Sequence, residues 1–478
     1  MPSVIDAYLS EQIARFFEEI SAIPRASLQE ERVADYLVDF AAKQGLYCYR
    51  DEVNNVLICK KGSAGREAEP PLLLQAHSDM VTEVAFGEAH DFSKEGVALY
   101  REGNVIRAKN TTLGADDGYG VALMLAVLAE DTLSHPPLEC LFTAAEEIGL
   151  VGAGKFDYGR LSARRMLNFD SAEEHLIITG CCGGIRTSIT LPVVFEKRCG
   201  KGVHIALHGL CGGHSGEDID RGRANSLVLM GKLLDELQKA TPFYLVSLSG
   251  GDKTNAIPRD CEAVILPDDP AAALAFLEAS EDFLCRCVTS PDDKARSVHA
   301  TCVDVTAALS IADTARVLEV LRIPNGVLAY RKDGKTPPET SRNLANVHTK
   351  EDCFSFELSS RSPLDEKLDA SIAELDALAA RLGGQSAHRS RYPGWEGAED
   401  SPVCACWRQA YRSLTGKELE TTVIHAGLEC GLIRGALKDL DVISVGCNIY
   451  DLHTPAERME LDSLERIYRT LIVFLENC

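Results

Sequence analysis

An α/β domain interrupted by an inserted α+β domain is the fold that this chain predicts, and three observations predict it. Strand-like and helix-like segments alternate from residue 1 to about 186, the pattern of a mostly parallel sheet covered on both faces. Near residue 187 the character changes to strands of antiparallel type beside two long helical stretches, and after RYPGWEGAEDSPV the first alternation resumes. The chain has 478 residues, too many for one ordinary core. The expected division is therefore 1–186 and 387–478 as two parts of one domain, with 187–386 inserted between them.

In chain order, MPSVIDAYLSEQIARFFEEI reads as an amphipathic helix. NVLICK, PLLLQAH, LECLFTAA and RRMLNFD are apolar runs of strand length, and GVALMLAVLAED, opened by a glycine-rich turn, is the helix between the second and third of them. In the insert, IRTSITLPVVFE, GVHIALHGL and CEAVILPDD predict strands, while SLVLMGKLLDELQKA and AAALAFLEASEDFLCRCV predict helices. The last part reads as a helix in CWRQAYRSLTG, a strand in DVISVGCN and a closing helix in ERIYRTLIVFLEN.

Composition narrows the classes. With 45% hydrophobic and 25% charged residues and no low-complexity tract, the chain is of globular type. No apolar run approaches the roughly 20 residues that span a bilayer, so no membrane segment is expected. A net charge of −23 opposes binding to nucleic acid, whose phosphates reward Lys and Arg. The start of the chain lacks the basic and apolar stretches of a signal peptide. The 17 cysteines form no CxxC, and their odd total predicts reduced, mostly buried thiols in a cytoplasmic protein.

The chemistry gathers at strand ends. In PLLLQAHSDMV three leucines lead directly into His77, with Asp79 two places on. GADDGYG, after the apparent strand edge TTL, supplies Asp116 before a helix, while LECLFTAAEEIG ends in Glu146 and Glu147. RRMLNFDS ends in Asp170, and His453 lies just beyond the last strand in DVISVGCNIYDLHTP. The C-terminal strand ends of an open α/β sheet form its ligand crevice, so these residues converge on one rim. Singly, an HxD is usually a surface pair, an EE a solvated face and a strand-end Asp a helix cap; together at successive strand ends they point to metal. Imidazole nitrogen with carboxylate oxygen suits Zn²⁺, and also Mn²⁺ or Co²⁺. Five ligands with two histidines fit two ions better than one, with a carboxylate between them. Asp79 is placed to fix the His77 tautomer. Of the adjacent glutamates, one binds metal and the other serves as base; Glu146 is taken as base and Glu147 as ligand, although their order alone does not distinguish them.

HSDMVTE, TTLGADDGYGVA, FTAAEEIGLVGA, LNFDS, GCCGG, GGHSGEDIDRGRANS, TNAIPR, YPGWEG, IHAGLECGL and HTPAE occur in this order across nearly the whole chain. By these motifs it resembles the aminoacyl-histidine dipeptidases of the M20 metallopeptidase family. The resemblance implies a zinc-peptidase-like catalytic domain with an inserted lid domain through which a homodimer forms. It implies two divalent metal ions, a zinc pair, with His77 and Asp170 on one, Glu147 and His453 on the other, and Asp116 bridging. Glu146 is then the general base, His214 in GGHSG an oxyanion donor, Arg361 in SSRSPLD the grip on the substrate carboxylate, and Asn255 in TNAIP a substrate contact. Asp117 stands where many relatives carry Asn, placing an extra charge near the metals or near a substrate amino group. Glu429 in HAGLECG matches a motif of the family, and the chemistry of the sequence assigns it no role. The implied activity is hydrolysis of unblocked dipeptides, Xaa-His dipeptides such as β-Ala-His included. The rivals are another amide hydrolase on this scaffold (an N-acyl amino acid deacylase or carboxypeptidase) and a non-enzymatic metal-binding scaffold. No GxSxG and no GxxxxGK[ST] occurs, which sets aside serine-hydrolase and P-loop chemistry.

Overall fold

The computed structural model describes residues 5, 9–295, 297–331, 337–397 and 400–477. The chain divides into two compact units, Met1–Cys181 with Trp395–Val423 and Leu428–Cys478, and Cys182–Gly394 with Ile424–Gly427.

The first unit is built on an eight-stranded sheet. Its order is Tyr47–Arg50, Val56–Lys60, Leu138–Thr143, Leu72–His77, Arg165–Ser171, Asp441–Gly446, Leu176–Cys181 and Glu420–Ile424. The four middle strands run parallel to one another, as continuous apolar runs require of strands covered on both faces. Antiparallel partners flank them on either side. Every residue of Leu72–His77 and of Leu138–Thr143 is buried.

The helix Ala115–Ala129 is apolar on all sides after its two opening aspartates, and it packs between the helix Glu11–Ser21 and the strands Leu72–His77 and Arg165–Ser171. Glu11–Ser21 falls within the predicted N-terminal helix and buries Ile13, Phe16, Phe17 and Ile20; residues 1–4 and 6–8 of that stretch lie outside the described residues. A Cβ on Gly120 would lie 2.8 Å from the Phe169 Cβ and 2.9 Å from the Ala76 Cβ, so glycine lets this helix settle on the ligand-bearing strands. The segment TTL is not a strand: Thr111 makes a single bridge to Val84, and the chain then turns through Gly114 at φ 66° into the helix.

The second unit is a nine-stranded sheet in which all neighbours are antiparallel, from Ser297–Ala308 at one edge to Gln385–Tyr392 at the other. The helices Ser226–Ala240, Ile311–Leu321 and Asp365–Arg381 contribute apolar faces to its core. AAALAFLEASEDFLCRCV, expected as one helix, forms two, Pro270–Glu278 and Glu281–Cys287. Ser280 breaks it: its hydroxyl donates back to the Leu277 carbonyl at 2.6 Å, competing with the helical ladder, and Glu281 and Asp282 then supply negative charge to the first turn of a new helix.

Among the described residues, Cys140, Cys181, Cys261 and Cys430 are buried free thiols, but Cys199, Cys211, Cys285 and Cys302 are exposed and Cys406 is disulfide-bonded, so the expectation of mostly buried, reduced thiols holds only in part. No described helix is long and apolar enough to cross a membrane.

Candidate metal centre

Four adjacent parallel strands deliver the candidate ligands to one edge of the first unit. His77 is the last residue of its strand, Asp170 is one short of the end of the next, and Glu146 and Glu147 follow the strand on the other side. His453 follows the fourth strand, and Asp116 enters at the start of the helix Ala115–Ala129, joined to Asp117 by a cis peptide bond. Ala145 and His453 sit in the left-handed backbone region, at φ 52° and 60°. Such positions are uncommon for residues with a side chain and gather where a fold fixes functional groups.

Three groups of side chains bring ligand atoms within 4.8 Å of one another: His77, Asp116 and Asp170; Asp116, Glu147 and His453; and His77, Glu146 and Glu147. The centre is graded in depth. His77 and Asp79 are buried at its floor, Asp116, Glu146, Glu147 and Asp170 are half-buried, and His453 is exposed at the rim. Asp116 lies between the first two groups, with Oδ1 at 3.0 Å from His77 Nε2 and Oδ2 at 3.2 Å from His453 Nε2.

The donor set fits a pair of divalent cations. Glu147 Oε1 is 3.1 Å from His453 Nε2, yet it is buried and has no directed hydrogen bond. Two atoms this close but not aimed at each other are arranged about a shared centre. On the other ring, His77 turns Nε2 towards Asp116 at 3.0 Å, while its Nδ1 is 3.4 Å from Asp79 Oδ1 on the opposite side. Four carboxylates also surround two imidazoles, and the chain recruits positive charge for them from those rings. Burial pulls the His453 imidazole down, but the Asp116 and Glu147 carboxylates outweigh it and hold it at about 11. The same contest, with Asp116 and Asp79, leaves His77 well above the ordinary histidine range. Burial opposes ionisation of Asp116, but the two imidazoles hold its carboxyl below the usual range. Burial pushes Asp170 well above that range, and the charge on Asp116 adds to it. Glu146 is pushed up in the same way, by burial first and by Asp170 and Glu147 with it, although His77 opposes the shift.

Asp79 does more than face His77. Its carboxylate accepts the Ser27 hydroxyl at 2.7 Å and the backbone N–H groups of Glu146 at 3.0 Å and Glu147 at 3.3 Å. One buried carboxylate thus couples the HxD strand end to the EE turn. Asp117 is fully buried, and its two oxygens accept the backbone N–H of His77 at 3.1 Å and of Gly120 at 3.2 Å. It braces the floor of the centre from beneath His77.

Three supporting residues carry no sequence expectation of this kind. Arg25 is buried and donates to the carbonyls of Ser78 at 3.3 Å and Asp79 at 2.9 Å, and to that of Gly114. Glu30 accepts the Ala145 N–H at 2.9 Å. Glu457 lies within the motif HTPAE and accepts three backbone N–H groups, those of Leu113, Gly114 and Ala115, at 2.8, 3.1 and 2.9 Å. It thereby fixes the turn that presents Asp116. Replacing Glu457 with Ala leaves three buried donors without an acceptor, and each costs about 1–3 kcal/mol where water does not enter. We expect the metal-free protein to lose roughly 2–5 kcal/mol, read as a lowered midpoint in urea unfolding; a shift below about 0.5 kcal/mol would remove this role.

The second unit holds the other three predicted site residues. His214 and Asn255 meet on one ribbon: Gly213–His214 pairs with Ala256–Ile257, and the Ser215 N–H donates to the Asn255 carbonyl at 2.8 Å. Asn255 is exposed and His214 half-buried. Arg361 is buried at the end of the strand Cys353–Ser362 and donates to the Tyr392 hydroxyl at 3.1 Å, so it is not a solvated sheet residue. His425, in the same unit, accompanies them. It is buried between the Cys182 thiol at 3.0 Å and the Ser341 hydroxyl at 2.7 Å, and burial, with the charges of Arg361 and His214, lowers it to about 3. Its imidazole is therefore neutral.

Comparison with known proteins agrees with this architecture. The M20 peptidase dimerisation domain matches residues 205–272. The cytosol non-specific dipeptidase of Escherichia coli (strain K12) is 33% identical over 470 residues, covering 96% of each chain. The crystal structure of aminoacylhistidine dipeptidase from Vibrio alginolyticus superposes with a TM-score of 0.84 at 33% identity, covering 98% of this chain and 97% of that one. The aminopeptidase PepT of Bacillus cereus shares the fold at a TM-score of 0.57 and 15% identity, over 98% of this chain and 99% of its own.

Proposed function

The chain belongs to the M20 metallopeptidase family, and from that premise we propose that it is a metal-dependent dipeptidase cleaving unblocked dipeptides, Xaa-His dipeptides such as β-Ala-His among them. The observation that carries this reading is the convergence of His77, Glu147, Asp170 and His453, with Glu146 beside them, beyond the ends of adjacent parallel strands, and of Asp116 from the start of the helix Ala115–Ala129. In this reading His77 and Asp170 hold one cation, Glu147 and His453 the other, and Asp116 both. Zn²⁺ is the ion the donors suit best, with Mn²⁺ and Co²⁺ as alternatives. When bound, such a pair supplies Lewis acidity that polarises the scissile carbonyl and lowers the pKa of the attacking water.

The chain's own residues do the rest. Glu146 takes the proton from the attacking water at a carboxylate oxygen and passes it to the departing amine. Burial, with the Asp170 and Glu147 charges, raises its proton affinity above that of an ordinary carboxylate, which strengthens it as a base. Asp79 orients the His77 ring and fixes the backbone of Glu146, so the base and the ligand beside it are placed by one group. His214, Asn255 and Arg361 keep the roles of oxyanion donor, substrate contact and carboxylate grip; guanidinium suits the last because it binds carboxylate through two parallel bonds. The second unit is the proposed lid and dimerisation domain of a homodimer that works in the cytoplasm.

The test is a substrate panel on metal-stripped protein with Zn²⁺, Mn²⁺ or Co²⁺ added back. The panel holds Xaa-His dipeptides, other dipeptides, tripeptides and N-acyl amino acids. Chelation should abolish turnover, and added metal should restore cleavage of dipeptides. Turnover of N-acyl substrates alone would sink the dipeptidase reading and favour a deacylase. No turnover with both ions bound would favour a scaffold.

A further inference from the structure

Glu429 lies beneath the centre and belongs to none of the ligand groups found among the described residues. It opens the helix Glu429–Ala436 and is fully buried. Two donors converge on its Oε2: Gln75 Nε2 at 2.5 Å and the Thr143 hydroxyl at 2.6 Å. The network continues sideways, because Asn168 Nδ2 donates to Gln75 Oε1 at 2.7 Å. Gln75, Thr143 and Asn168 sit on three neighbouring strands, with Gln75 in register with Asn168 and Thr143 in register with His77.

Their positions along those strands give the network its meaning. Side chains two apart share a face of a strand. Gln75 is therefore one step below His77, Asn168 one step below Asp170, and Thr143 stands at the strand end that leads into Glu146 and Glu147. Glu429 ties together, directly through Gln75 and Thr143 and through Gln75 to Asn168, three of the four strands whose ends carry the centre.

A carboxylate here is an expensive choice for stability alone. Its Oε1 has no hydrogen-bond partner among the described residues, and burial raises the carboxyl to about 7 against the favourable bond from Thr143. A neutral acceptor of the same shape would satisfy the same two donors at a smaller desolvation cost. What the carboxylate offers is a strong acceptor that two side chains on different strands can share.

We propose that Glu429 is a positioning residue for the metal centre, its carboxylate setting, through Gln75, Thr143 and Asn168, the spacing of His77, Asp170 and the Glu146–Glu147 turn. The proposal rests on the metal reading given above. It separates the acceptor from the charge: Glu429→Leu removes both, whereas Glu429→Gln keeps an oxygen for Gln75 and Thr143.

The test is Co²⁺ titration of metal-stripped protein, followed by visible absorption, with competition by a chelator to give affinities and thermal unfolding of the metal-free form as control. Glu429→Leu should weaken Co²⁺ binding roughly 10–100-fold, as loss of an outer-layer partner does, and should alter the absorption band. Glu429→Gln should recover most of both. Wild-type affinity and spectrum in the Leu variant, with only the unfolding temperature moved, would reduce Glu429 to a structural residue. A Gln variant as impaired as the Leu variant would also overturn the proposal, since charge and not the shared acceptor would then matter. If Glu429→Leu does not fold, Gln75→Leu removes the central rung and is read by the same outcomes. Absence of saturable Co²⁺ binding in the unaltered protein would instead overturn the metal reading itself.

Discussion

Replacing Glu146 with Gln is expected to lower kcat by about 10²–10⁴-fold, the usual contribution of a positioned general acid–base group, while two metal ions still bind. The expectation follows from what separates Glu146 from Glu147. Both amides are held by Asp79, at 3.0 and 3.3 Å, so both carboxyls leave from a fixed turn. Glu147 joins Asp116 and His453 in one ligand group, and its Oε1 lies 3.1 Å from the His453 ring. Glu146 makes no such approach to His453, and its carboxyl is pushed well above the ordinary range by burial and by the neighbouring Asp170 and Glu147 charges. The Gln variant keeps volume and shape but cannot accept the proton. Metal content by elemental analysis and kcat with a dipeptide, measured on the same preparation, decide the matter. Loss of one ion with loss of activity would make Glu146 a ligand, and unchanged kcat would move the base elsewhere.

The sequence disclosed this centre because its chemistry is local to strand ends. PLLLQAHSD shows a buried run and then a polar tip within a few residues, and both halves of that pattern are enforced by burial. The EE pair and LNFDS repeat the same signature on the neighbouring strands. What stayed hidden works through the backbone. Glu457 is visible inside HTPAE, but its partners are three main-chain N–H groups over 340 positions earlier, and no pattern of residue types marks them. Arg25 binds only carbonyls, so nothing at positions 78, 79 or 114 advertises it. Asp117 illustrates a different limit. The pair DD announces two charges, but only the path of the chain reveals that one carboxylate turns inwards to the His77 amide. In the second unit, GGHSG and TNAIP are about 40 residues apart in the chain, and their pairing across a two-residue ribbon is a tertiary fact.

The larger effect on metal binding is expected at Asp116. Asp116→Asn leaves one amide oxygen, an NH₂ group that cannot bind a cation, and no charge, where the native side chain sets one oxygen towards His77 and the other towards His453. Saturating metal should then load one ion in place of two, and kcat/KM with a dipeptide should fall by on the order of 10³-fold or more. That magnitude follows by comparison: an outer-layer partner of a metal ligand is worth roughly 10–100-fold, and a donor shared by both ions must exceed it. The variant also isolates the centre from its scaffold. The turn 113–115 is held by Glu457 through the backbone, so the substitution leaves the placement of residue 116 intact and removes only its second donor and its charge. Stability of the metal-free protein should therefore change far less than in Glu457→Ala, although metal loading changes far more. Two ions retained at wild-type affinity with undiminished turnover would show that Asp116 is not shared, and the two ligand groups would have to act as independent sites.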